Sequence, residues 1–123
     1  MIFANTNREI TLIYNSKEHI GLQILAYAQT ENIPIHYINL LHVKLTPSHW
    51  IEIASRMKIK VHDLINKEDA DFLQKFGHLN NLSEEDWVKL LIHNPDILRA
   101  PIVMKGDKVV FMSNPQDMLY FVK

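Results

Sequence analysis

The sequence predicts an α/β domain. Residues Glu9–Gln29 read as a strand, a tight loop and a helix, and Ile35–Leu40 closes this opening as a second strand. Residues 46–93 carry helix caps followed by helical spacing, and Ile102–Phe111 reads as a hairpin with a capped helix behind it. The element order is therefore β-α-β, then helices, then β-β-α, with residues 1–123 expected to form one domain.

Met1–Arg8 reads as a short lead-in. Ile10–Tyr14 is rich in β-branched and apolar residues with little alternation, the pattern of a strand buried on both faces. Asn15 and Ser16 are good N-caps, and Ile20, Ile24, Tyr27 and Ala28 follow at helical spacing. Gly21 sits in the first turns of that helix at a cost on the order of 1 kcal/mol relative to alanine. Asn32-Ile33-Pro34 breaks the helix before the strand at Ile35–Leu40. Two strands flanking one helix with short loops predict a parallel crossover unit.

Thr46-Pro47 opens the next helix, with Thr as cap and Pro at the first helical position. Its apolar face is Trp50, Ile53 or Ala54, and Met57, and Lys58–Lys60 interrupts it. Val61–Asn66 and Asp69–Phe76 are expected as two short helical pieces, the second stopping at Gly77. Ser83-Glu84-Glu85-Asp86 resembles a capping box ahead of Trp87, Leu90 and Leu91, and Asn94-Pro95 ends that helix. Gly106-Asp107 is a two-residue hairpin turn between Ile102–Lys105 and Lys108–Phe111. Asn114-Pro115 caps a final helix whose expected apolar side is Leu119 and Val122.

Composition excludes several functions. There is no cysteine, so disulfides, thiolate nucleophiles, zinc–thiolate sites and iron–sulfur clusters are all ruled out. A net charge of −1 gives no basis for broad electrostatic binding to nucleic acid or to an anionic membrane. No apolar run is long enough to span a bilayer and Met1–Asn7 has no apolar core, so the expected location is the cytoplasm. Seven histidines are many, but His36, His42 and His49 lack helical metal-site spacing, and no metal is expected.

Three stretches carry a family resemblance. I-Y-N-S-K-E-H-I-G-L-Q-I-L at Ile13–Leu25 looks like a strand–loop–helix pattern Y-x-N-P-x-C-x-x-[SC]-R. A-S-R-M-K-I-K-V-H-D-L at Ala54–Leu64 and H-N-P-D-I-L-R-A-P-I-V-M-K-G-D-K-V-V-F at His93–Phe111 complete it, the latter resembling H-P-x-L-[IL]-x-R-P-I-[LV] followed by a hairpin. The chain thus resembles the arsenate reductase (ArsC)/Spx family of thioredoxin-like proteins. The resemblance implies a mixed four-stranded sheet flanked by helices, a helical insertion at about 46–93, and a cis peptide before Pro101.

Residue by residue, the chemistry the resemblance implies does not carry over. The catalytic cysteine aligns with Glu18, the second cysteine of a C-x-x-C pair with Gly21, and the arginine after it with Leu22. The arginine before the proline aligns with Ala100, leaving Arg99 one place early. The insertion's arginine falls near Asn66, and the last family arginine falls around Ser113–Asn114, where none is present. Arsenate reduction in the family needs a thiolate at a helix N-terminus and cations to hold the oxyanion. Glu18 suits the helix dipole, but it is redox-inert and repels an oxyanion.

The expected site is accordingly a vestigial one, formed by Asn15, Ser16, Glu18, His19 and Gly21, with Arg99, Ala100 and Pro101 as binding residues. In thioredoxin-like folds the backbone before this proline can pair with an extended peptide or with glutathione, which needs neither cysteine nor arginine. The first reading is a non-catalytic binding or regulatory module with a protein partner; Spx-type relatives bind RNA polymerase. The alternative is an enzyme that borrows its thiol from glutathione, with Ser16 or Asn15 as hydrogen-bond donor. A Ser16–Glu18–His19 triad is disfavoured, because neighbours in sequence seldom reach triad geometry.

Overall fold

A computed structural model describes residues 9–79 and 81–121. The expected lead-in at 1–8 and Val122 lie outside the described residues. The element order is β1 Ile10–Tyr14, α1 His19–Thr30, β2 His36–Asn39, α2 Pro47–Met57, α3 Ala70–Phe76, α4 Glu84–His93, β3 Ile102–Lys105, β4 Lys108–Phe111 and α5 Met118–Phe121, with 3₁₀ turns at Val61–Leu64, Pro95–Ile97 and Pro115–Asp117.

The strands form a four-stranded mixed sheet in the order β2-β1-β3-β4. β1 pairs parallel with β2 (Leu12 opposite Tyr37) and antiparallel with β3 (Leu12 opposite Val103), and β3 pairs antiparallel with β4. All five residues of β1 are buried, as a central strand covered on both faces requires. β2 is an edge strand and is shorter than the Ile35–Leu40 the sequence suggests, because Asn39 turns its side chain back to accept from Leu41 N–H at 3.1 Å.

The alternation of β1 divides the core. Ile10, Leu12 and Tyr14 face α1 and α5, where Ile24, Ala28, Met118 and Phe121 are buried. Ile13 faces the other layer, packed with Trp50, Ile53, Leu64, Phe72, Trp87 and Leu91 from the insertion. Burying one such side chain contributes roughly 1.5–3 kcal/mol, so the insertion is itself one wall of the core. α5 buries Met118 and Phe121 and leaves Leu119 42% exposed, which corrects the expected face. The leading 3₁₀ turn at Pro115–Asp117 rotates the short helix away from the phase a continuous helix would have.

The caps explain the helix boundaries. Thr46 Oγ1 accepts from His49 N–H at 3.3 Å while His49 Nδ1 accepts from Thr46 N–H at 2.9 Å, a reciprocal box with histidine in the usual glutamate place. Ser83 accepts from Asp86 N–H at 3.1 Å, and Asp69 accepts from Asp71 and Phe72 N–H. Lys58 closes α2 in the left-handed region at φ 60°. The piece expected as helix over Val61–Asn66 stops at Leu64, because Ile65 leaves it to bridge Leu98 antiparallel. Gly106, at φ 61°, makes the hairpin turn between β3 and β4.

Candidate functional site

The loop between β1 and α1 differs from the sequence expectation. Neither Asn15 nor Ser16 caps α1. Glu18 is its N-cap residue, with no side-chain bond to the helix. Asn15 instead makes a local turn: its Oδ1 accepts from Lys17 N–H at 2.9 Å and its carbonyl accepts from Glu18 N–H at 2.9 Å. Ser16 N–H donates to Asn39 Oδ1 at 3.3 Å, tying the loop to the end of β2. Two additional residues are used in this turn before the helix begins, so the cap moves from Ser16 to Glu18.

Across from this loop, Pro95–Pro101 runs beside the insertion. Asn66 N–H donates to the Ile97 carbonyl at 3.0 Å, and Arg99 N–H donates to the Leu64 carbonyl at 2.8 Å. The insertion therefore holds the segment that leads into Pro101. No peptide bond among the described residues is cis, so the Ala100–Pro101 bond is trans and the implied cis bond is corrected. Trans is the lower-energy form for an X–Pro bond by about 0.5–1 kcal/mol. The Pro101 carbonyl accepts from Met112 N–H at 2.9 Å, whereas the N–H and C=O of Ala100 make no hydrogen bond among the described residues.

Between the loop, α3 and this segment lies a cleft of about 270 Å³. Asn15, Glu18 and Ile20 form one wall, Asn66, Asp69, Asp71, Phe72, Lys75 and Phe76 a second, and Pro95–Pro101 the third. Of the expected site residues, the cleft brings together Asn15, Glu18, Arg99, Ala100 and Pro101. It leaves out Ser16, His19 and Gly21. His19 is exposed, and Gly21 is buried on the side of α1 that faces β1, where a Cβ would stand 2.8 Å from Tyr14 Cβ.

The electrostatics run against an oxyanion site. The cleft carries the carboxylates of Glu18, Asp69, Asp71 and Asp96 against the cations of Lys75 and Arg99. Both cations already have partners: Lys75 Nζ donates to Asn94 Oδ1 at 2.7 Å, and the Arg99 guanidinium lies 5.4 Å from the centre of the Phe111 ring. The α3 contribution is absent from the sequence reading, although the acid-rich run Glu68-Asp69-Ala70-Asp71 marks it. No group of three histidine, aspartate or glutamate side chains among the described residues is placed to hold a metal ion.

The sequence pattern of the ArsC family matches residues 7–121. The chain belongs to the ArsC family. Among solved structures, an arsenate reductase from Vibrio cholerae is similar at TM-score 0.77 and 14% identity, covering 93% of this chain and 98% of that one. A protein described as an arsenate reductase from Yersinia pestis is similar at TM-score 0.77 and 15% identity, over 90% and 98% of the two chains. An ArsC family related protein from Bacteroides fragilis is similar at TM-score 0.70 and 14% identity, over 91% and 96%. These likenesses establish the thioredoxin-like ArsC fold. No curated protein matches the chain. Within the ArsC fold this chain lacks cysteine altogether, and no described helix is long and apolar enough to cross a membrane.

Proposed function

We propose that this ArsC-family chain is a non-catalytic binding module that receives a protein partner in the cleft between Glu18 and Pro101. One observation carries the reading: at the position where the family pattern has its cysteine stands a carboxylate, and it shares a cleft with Pro101. A carboxylate neither transfers electrons nor attracts an oxyanion, so what the cleft retains is shape and hydrogen bonding. Ala100 supports the same reading, since it lines the cleft and its backbone N–H and C=O make no hydrogen bond among the described residues, which suits main-chain pairing with an extended segment. By family analogy RNA polymerase is the first partner to try.

The test is affinity capture from the source cell by the wild-type chain and by Ala100→Trp, which fills the cleft. Partners identified by mass spectrometry and lost in Ala100→Trp support the reading. A partner set that is the same for both proteins overturns it. The glutathione-borrowing alternative is separated by amide shifts of labelled protein. Shifts at 15–20 and 99–102 with millimolar glutathione, together with turnover of a disulfide or arsenate substrate, would replace the binding-module reading. Ser16 lies outside the cleft lining, which counts against its acting as the donor to a bound thiol.

A further inference from the structure

We infer that the segment received in this cleft is basic: an extended peptide presenting arginine or lysine side chains. The inference rests on the binding-module reading above and names the chemistry of its partner. The carboxylates of Glu18, Asp71 and Asp96 line the cleft and have no hydrogen-bond or ion-pair partner among the described residues. With Asp69, the cleft sets four carboxylates against the two cations Lys75 and Arg99, and a cationic ligand offsets that negative excess.

The spacing of the acids decides which kind of cation. They do not converge on a point, since no three acidic or histidine side chains among the described residues could share one metal ion. Charges spread along three walls suit a chain with cations along its length.

Asn15 provides a second, independent observation. It lies in the cleft wall with 5% of its surface exposed, its Oδ1 is taken by Lys17 N–H, and its Nδ2 is buried without a partner among the described residues. A buried donor without an acceptor costs about 1–3 kcal/mol. Once the Asn15 side chain turns toward the cleft, a peptide carbonyl is the acceptor it lacks, while a metal ion or a simple polyamine offers only charge. Main-chain acceptors for Asn15 and side-chain cations for the acids are the two halves of a basic peptide.

The experiment is a titration of the labelled full-length chain with a blocked heptapeptide in which arginine alternates with glycine. Its glutamate counterpart and spermine serve as parallel probes, at about 0.05 and 0.5 M salt. Expected are amide and Asn15 side-chain shifts centred on 15–20, 69–76 and 95–101 with the arginine peptide. Affinity should weaken about fivefold or more at the higher salt, and by a similar factor in the Glu18→Gln/Asp71→Asn/Asp96→Asn variant with its melting temperature checked. Equal binding of the glutamate peptide overturns the charge assignment. Spermine binding as tightly as the arginine peptide, with no Asn15 side-chain shift, overturns the peptide assignment. If the arginine peptide leaves the cleft silent, the basic-peptide inference fails. The binding-module reading then stands or falls separately, on whether partner capture is lost in Ala100→Trp.

Discussion

A Cβ placed on Gly21 would stand 2.8 Å from the Cβ of Tyr14. The first turns of α1 therefore lie against β1 with no room for any side chain at this position. The family pattern that the sequence resembles has serine or cysteine at this place. The close approach leaves no space here for either side chain.

Gly21→Ala tests that packing. Alanine favours helix by about 1 kcal/mol, but the clash is with Tyr14 near its backbone, and overpacking costs typically 1–3 kcal/mol. The clash should win, so the denaturation midpoint falls in urea with an unchanged slope. Gly21→Cys should be worse, because it adds a sulfur to the same crowded spot.

Glu18 is exposed, so Glu18→Cys should fold normally. It should still give no arsenate turnover above background in a glutathione-coupled assay. The helix N-terminus would favour a thiolate there, but Asp69, Asp71 and Asp96 line the cleft, and Leu22 and Ala100, where the resemblance implies arginines, carry no charge. Measurable turnover would show that cation placement matters less than the thiol.

Arg56 bridges the two halves of the chain. Its Nη1 donates to the Gly106 carbonyl at 3.1 Å and its Nη2 pairs with Glu52 Oε1 at 3.1 Å, with only 7% of its side chain exposed. Glu52 Oε2 is already buried without a partner. Removing the guanidinium leaves a largely buried carboxylate alone, so Arg56→Ala should cost about 2–4 kcal/mol. The Glu52→Ala/Arg56→Ala double variant should lose less than the two single losses added together, which a double-mutant cycle measures.

The Tyr14 phenol is held above its ordinary value of 10.0, first by burial and then by the nearby Tyr37. A raised folded-state value means the folded protein keeps this proton after the unfolded chain has released it. The stability it contributes is intact below pH 10 and falls as pH rises from there through the folded value. Tyr14→Phe should therefore flatten the decline of stability above about pH 10, read from urea midpoints across that range.

Much of the fold was legible in the sequence because its signals are local. Ile10–Tyr14 is apolar throughout, Thr46-Pro47 and Ser83 cap the helices they precede, and Gly106-Asp107 turns the hairpin, each through residues a few places apart. The boundaries that shifted did so through contacts local rules do not contain. Ile65 leaves the helical path to meet Leu98, and the Asn15 turn delays α1 until Glu18.

The site divides along the same line. Sequence alone determined the absence of thiol chemistry, because the chain has no cysteine, and the resemblance to the family pattern sets Glu18 where that pattern has its cysteine. Only the tertiary structure decided that Glu18 shares a cleft with Asp71 and Asp96, that Asn15 carries an unanswered donor in its wall, and that Tyr14 leaves no space at Gly21. Those are relations between segments tens of residues apart, set by how helices and loops pack across the sheet.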